Sequence, residues 1–215
     1  KKIIVFFVFI PCFLSGVFFI TIINFLRYYS MKVIIPESLN EITLKQYLDF
    51  KKLVDADKYK DHELIYHKVS IFTNLDYAQC RNIGVKDLAD LSVLIDNAIE
   101  TDYEFQQTFT FDGVEYGFIP NLDKISTGEW VDLMNYQNDD DDLNKLMAIL
   151  FRPIVKKDSF NNYTIESYNG TEGRAEVMYQ LPFSIVKGAI GFFLNLLSAL
   201  LGVTPKYTDK ELAKA

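Results

Sequence analysis

The sequence predicts an α+β fold that is predominantly α-helical: a helical bundle with one β-hairpin at about residues 105–119. Two observations carry this. Several segments repeat apolar residues at helical spacing, two of them behind capping-box starts, and one Asp-Gly dipeptide lies between two alternating runs. A nearly uncharged stretch near the C-terminus adds a long apolar helix.

The elements follow in chain order. Val33–Ile35 is a β-branched run stopped by Pro36 and reads as an edge strand or extended arm. Thr43 and Gln46 form a capping-box pair, and Leu44, Tyr47, Leu48 and Val54 follow on one face, predicting a helix over 43–57. A second helix opens at Asp61 or His62. Residues 75–83 make a short helix or turn stopped by Gly84, and 86–100 line up Leu88, Leu91, Leu94, Ile95 and Ala98.

The period then switches to two. Phe105, Phe109 and Phe111 precede Asp112-Gly113, and Val114, Tyr116 and Phe118 follow it; both central residues of a type I′ turn need positive φ, which Asp-Gly accepts. Ser126 and Glu129 form another capping-box pair before a helix carrying Trp130, Leu133 and Met134, with Trp130 expected in the core. A further helix over 143–151 stops before Pro153. Residues 156–174 are polar and read as a long loop. The last helical stretch, 172–203, contains Pro182, which predicts a kink or two helices meeting.

Organisation divides at residue 30. Residues 1–30 are an apolar leader, 31–204 a single helical domain with an inserted hairpin, and 205–215 a polar tail. From Ile3 to Phe25 the leader is uncharged and long enough to cross a bilayer. One reading is a membrane span with Lys1 and Lys2 cytoplasmic, and another is a cleaved signal. A third is an over-extended reading frame, because composition changes abruptly at Met31 and Phe, Ile, Lys and Tyr are what AT-rich non-coding DNA encodes.

The 215 residues carry a net charge of −7, and losing Lys1, Lys2 and Arg27 with the leader would take it to −10. Such an acidic chain offers no basic stripe, so nucleic acid is excluded as a partner. Two cysteines, Cys12 and Cys80, make no disulfide framework and fit a reducing compartment.

No pattern of catalysis survives inspection, and neither catalytic residue, metal ligand nor cofactor is assigned. Asp139–Asp142 lack the alternate spacing, glycine and closing Glu of a calcium loop, and read instead as a solvated loop favouring the next helix through its dipole. His62 and His67 are five apart, one too many for paired imidazoles on a helix. Cys80 has no CxxC partner, and no phosphate-binding or nucleophile-elbow motif occurs.

The feature left over is residues 181–203, with the single charge Lys187. Ser184, Gly188 (or Lys187), Gly191, Asn195, Ser198 and Gly202 form a small or polar stripe that would let another backbone approach. Ile185, Ile190, Phe192, Phe193, Leu196 and Leu197 occupy the rest and are the candidate partner-binding residues. A helix apolar over most of its girth must be covered by its own core, by a partner or by lipid.

The order of these elements from Pro36 to the apolar helix resembles bacteriophage tail-region proteins, the tail assembly chaperones of phages of gut bacteria. The phrases that carry it are Ile42-Thr43-Leu44, Asp123–Leu133 and Leu146–Pro153, within about residues 32–203. The resemblance implies a non-enzymatic assembly or accessory protein that binds phage structural proteins or itself, in the host bacterial cytoplasm or the virion. The alternative is a small membrane-anchored protein using residues 3–25 as its span.

Overall fold

The computed structural model describes residues 1–8, 29–101 and 103–201. Most of the leader (9–28), Gly202 and Val203 at the end of the apolar stretch, and the polar tail 205–215 lie outside the described residues. The chain is α+β, with eight helices and two small sheets among the described residues.

Strands β1 (Lys2–Val8) and β2 (Tyr29–Ile35) pair antiparallel, Ile4 opposite Val33. The start of the run read as a membrane span is therefore a strand. Val33 and Ile35 enter the core, while Ile34 stands on the outer face. The free edge of β2 is closed by one side chain: Asn74 Oδ1 accepts from Ile34 N–H at 2.7 Å and its Nδ2 donates to Lys32 O at 3.0 Å. Asn74 thus imitates a neighbouring strand.

Four helices follow: α1 (Leu44–Asp55), α2 (Asp61–Phe72), α3 (Tyr77–Arg81) and α4 (Val85–Ile99). The capping box predicted at Thr43 and Gln46 is present, with Gln46 N–H donating to Thr43 Oγ1 at 3.2 Å and Thr43 N–H to Gln46 Oε1 at 3.0 Å. α2 packs against α1, α3 and α4.

The predicted hairpin is β3 (Thr108–Phe111) and β4 (Val114–Phe118), turning at Asp112 and Gly113, both at positive φ. It is not an isolated insert in a bundle. It is half of an antiparallel sheet in the order β3-β4-β5-β6, completed by β5 (Phe151–Lys157) and β6 (Tyr163–Ile165). β6 and the last two residues of β5, Lys156 and Lys157, lie in the stretch read as loop. Pro153 disfavours helix at the residue before it, which throws the chain into β structure as soon as the preceding helix ends.

Between the strand pairs come α5 (Thr127–Tyr136), opened by the Ser126–Glu129 capping box, and α6 (Leu143–Leu150). α6 is the centre of the molecule: of its eight residues only Lys145 is not buried. Trp130 is 36% exposed, contrary to its expected place in the core, because α5 turns Leu133 inward instead.

Pro182 divides the last stretch into α7 (Ala175–Met178) and α8 (Phe183–Leu201). The junction is pinned to the start of α1. Leu44 N–H donates to Leu181 O and Lys45 N–H to Tyr179 O, both at 2.9 Å, and Phe183 N–H donates to Ile42 O at 2.7 Å. Donors left orphaned by the first turn of α1 are satisfied there by carbonyls across the break. Among the described residues no helix is long and apolar enough to cross a membrane.

Candidate functional site

α8 is buried nearly all round in its first half and along one face in its second. Val186, Ala189, Phe193 and Leu197 recur at helical spacing and are buried, with Ser184 and Ile185 beside them. Ser184 Oγ lies 2.5 Å from Asn40 Oδ1. The other side of the C-terminal half is open, with Phe192 39% exposed and Asn195 exposed.

A glycine determines what lies beside that open side. A Cβ on Gly188 would come within 2.8 Å of the Glu104 carbonyl oxygen and 3.2 Å of Phe105 Cα, so the backbone at 104–105 rests directly on α8. That is the close approach expected of the small stripe. Gly191, in the same stripe, has nothing within 4 Å of its would-be Cβ.

The contact at Gly188 brings Phe105 onto Phe192, stacked with centroids 4.0 Å apart and planes 5° apart. Phe118 closes the set edge-on, 5.1 Å from Phe105 and 5.5 Å from Phe192. Phe118 in turn meets Phe151, which is fully buried. The result is a groove of about 490 Å³ lined by Phe105, Phe118, Pro120, Leu122, Phe192 and Leu196. Three aromatic rings held by one another make a rigid apolar floor.

The six residues expected to bind a partner are divided by the structure. Ile185, Phe193 and Leu197 are buried in the chain's own core; Phe192 and Leu196 line the groove; Ile190 is partly buried against the core. Phe105 and Phe118 read in the sequence only as alternating strand residues, so their role at the groove had no signal of its own.

The other polar clusters are engaged internally. Asp139 Oδ1 accepts from Asp141 N–H at 2.9 Å, Asp140 pairs with Lys51, Asp141 with Lys52 at 3.2 Å, and Asp142 with Lys145 at 2.6 Å. The run is solvent-exposed, as the sequence suggested, and two of its carboxylates also pair with lysines of α1.

His67 lies between Tyr59 and Tyr77, with centroids at 4.5 and 4.7 Å. Cys80 is buried, and burial pushes its thiol up to about 11, so the nucleophilic thiolate is suppressed at neutral pH.

A second cleft, of about 430 Å³, is lined by Ser126, Glu129, Arg152 and Tyr168. Glu129 Oε2 accepts from Ser126 N–H at 2.7 Å, and its Oε1 takes the buried Arg152 guanidinium. Tyr168 donates to Asp132 at 2.5 Å. Each of these carboxylates has a donor, and Glu129 with Arg152 forms a buried ion pair.

Comparison with protein-family models, with curated proteins and with solved structures finds no match.

Proposed function

We propose that this chain is a non-enzymatic phage assembly or accessory protein that docks a tail or other virion component in the groove between α8 and the four-stranded sheet. The observation that carries the docking site is the stacked Phe105–Phe192 pair, which holds a large apolar side chain at the surface of an acidic protein. A fixed aromatic floor loses little conformational freedom on binding, and flanking polar residues such as Gln107 supply a rim. Net negative charge keeps such a protein dispersed while the groove binds. The tail assignment comes from the resemblance in element order, which implies the host bacterial cytoplasm or the particle.

The test is calorimetric titration of the full chain against purified tail and capsid proteins of the same genome. Saturable binding is expected, weakened at least tenfold, about 1.4 kcal/mol, by Leu196→Asp. Binding indifferent to that substitution, or no binding to any of these proteins, would overturn the reading.

A further inference from the structure

The cleft beside the Glu129–Arg152 pair holds a donor that the chain leaves without an acceptor. Arg152 is 5% exposed, and its Nε–H has no hydrogen-bond partner among the described residues. A buried donor left unmatched costs free energy, so an acceptor supplied there would stabilise the molecule.

The cause lies in the first turn of α5. Guanidinium and carboxylate often meet as two parallel forks, one oxygen to each N–H. Glu129 gives Oε1 to Arg152 Nη2 but turns Oε2 to Ser126 N–H at 2.7 Å, closing the capping box. The cap takes the oxygen that would have filled the fork. Burial pulls Arg152 below the ordinary arginine pKa in spite of Glu129, so the pair leaves the cation under-compensated. The Tyr168 ring, its centroid 5.7 Å from Cζ, offers a π face and no lone pair to Nε.

Arg152, Glu129 and Ser126 all line this cleft of about 430 Å³, so the open N–H lies on the cleft's side of the ion pair. Among its charged lining groups, Glu129 is matched by Arg152 and Glu166 by Arg174 at 3.0 Å. Exposed Lys124 has no ion-pair partner among the described residues. Ser126 also brings the N-terminal end of α5 to the cleft, where the helix dipole favours negative charge. Ile119, Ile125 and Ile165 supply apolar wall. The cleft adjoins the groove at residues 119–121, but Lys124, Arg152 and Tyr168 line the cleft alone.

We propose that this cleft binds a monocarboxylate with an apolar body, one oxygen completing the Arg152 fork at Nε, the charge facing Lys124, and the body lying on the isoleucines. Charge fixes the class. One unmatched cation suits one negative charge, whereas two glutamates in the wall repel a dianion such as phosphate. The volume is that of a small-molecule site, apolar with few polar anchors. A free small acid and the C-terminal residue of a peptide both present this chemistry. The site stands whether or not the groove docks a partner.

The test titrates the full chain with 3-phenylpropanoate, its amide, inorganic phosphate and the peptide Gly-Gly-Phe. The Nε–H resonance of Arg152, one of four arginines, reads the contact directly. Binding of 3-phenylpropanoate should saturate within about 10 mM, shift that resonance and raise the melting temperature. The amide and phosphate should each bind about tenfold more weakly or worse. Lys124→Glu, at an exposed position, should weaken binding by about tenfold with unchanged circular dichroism. Tighter binding of the free acid than of the peptide makes a small molecule the ligand, and the reverse makes it a chain end.

Any of four results would overturn the site: no saturable binding of either carboxylate, binding that leaves the Arg152 Nε–H resonance unmoved, equal affinity for the amide, or affinity untouched by Lys124→Glu.

Discussion

α6 and α8 are both strongly apolar, and the shorter of them is the core. α6 spends eight residues between α5, α7 and β5, and all but Lys145 are buried. α8 runs for nineteen and is enclosed in its first half, yet in its second half burial follows one face, and Phe192 and Asn195 open to solvent. Apolar content therefore measures how much cover a helix requires, while neighbours decide how much it receives. The surplus on α8 is where the groove forms.

Truncating each helix should expose the difference most strongly. Met147→Ala in α6 removes a fully buried side chain from a site walled on every side, and should cost about 2–5 kcal/mol. Leu196→Ala at the groove should cost about 1 kcal/mol or less, because that position is already part-exposed. Urea midpoints at constant m-value check both. Equal losses would mean that α8 is as enclosed as α6.

The two glycines of α8 sharpen the same contrast within a single helix. Gly188→Ala drives a methyl into the backbone at 104–105, which cannot retreat without unstacking Phe105 from Phe192, and should cost about 1–3 kcal/mol. Gly191→Ala meets open space and should stabilise by up to about 1 kcal/mol through helix propensity. Opposite signs three residues apart would locate the edge of the buried face. Thermal melts of the two variants decide it.

How much of this was legible in the sequence depends on how local each signal is. Thr43 with Gln46, Ser126 with Glu129 and Asp112-Gly113 announce their elements because each motif satisfies its own backbone. β5 and β6 had no such voice. Phe151–Lys157 runs from buried to exposed, so it shows no alternation, and Pro153 argues against a central strand. Its pairing comes from β4, more than thirty residues away.

The groove was half legible for the same reason. Phe192 and Leu196 stood out as apolar surplus, but Phe105 reaches them only through the backbone contact at Gly188.

The smallest effect concerns the one charge on α8. Lys187 is half-buried, its Nζ is 5.0 Å from the centre of the Tyr103 ring, and burial lowers its pKa below the ordinary lysine value. The unfolded chain then holds this proton to higher pH than the folded one. Stability must rise with pH across the interval between the folded and ordinary values, with the full penalty below that interval and none above it. Lys187→Met removes the ionisation while keeping an unbranched side chain, so the variant should lose that part of the alkaline rise and gain slightly near neutrality. Denaturant melts of both proteins between about pH 7 and the ordinary lysine value near 10.4 follow it. An identical pH profile in the variant would mean that Lys187 is as well hydrated as a surface lysine, and that the buried face of α8 is narrower than its contacts imply.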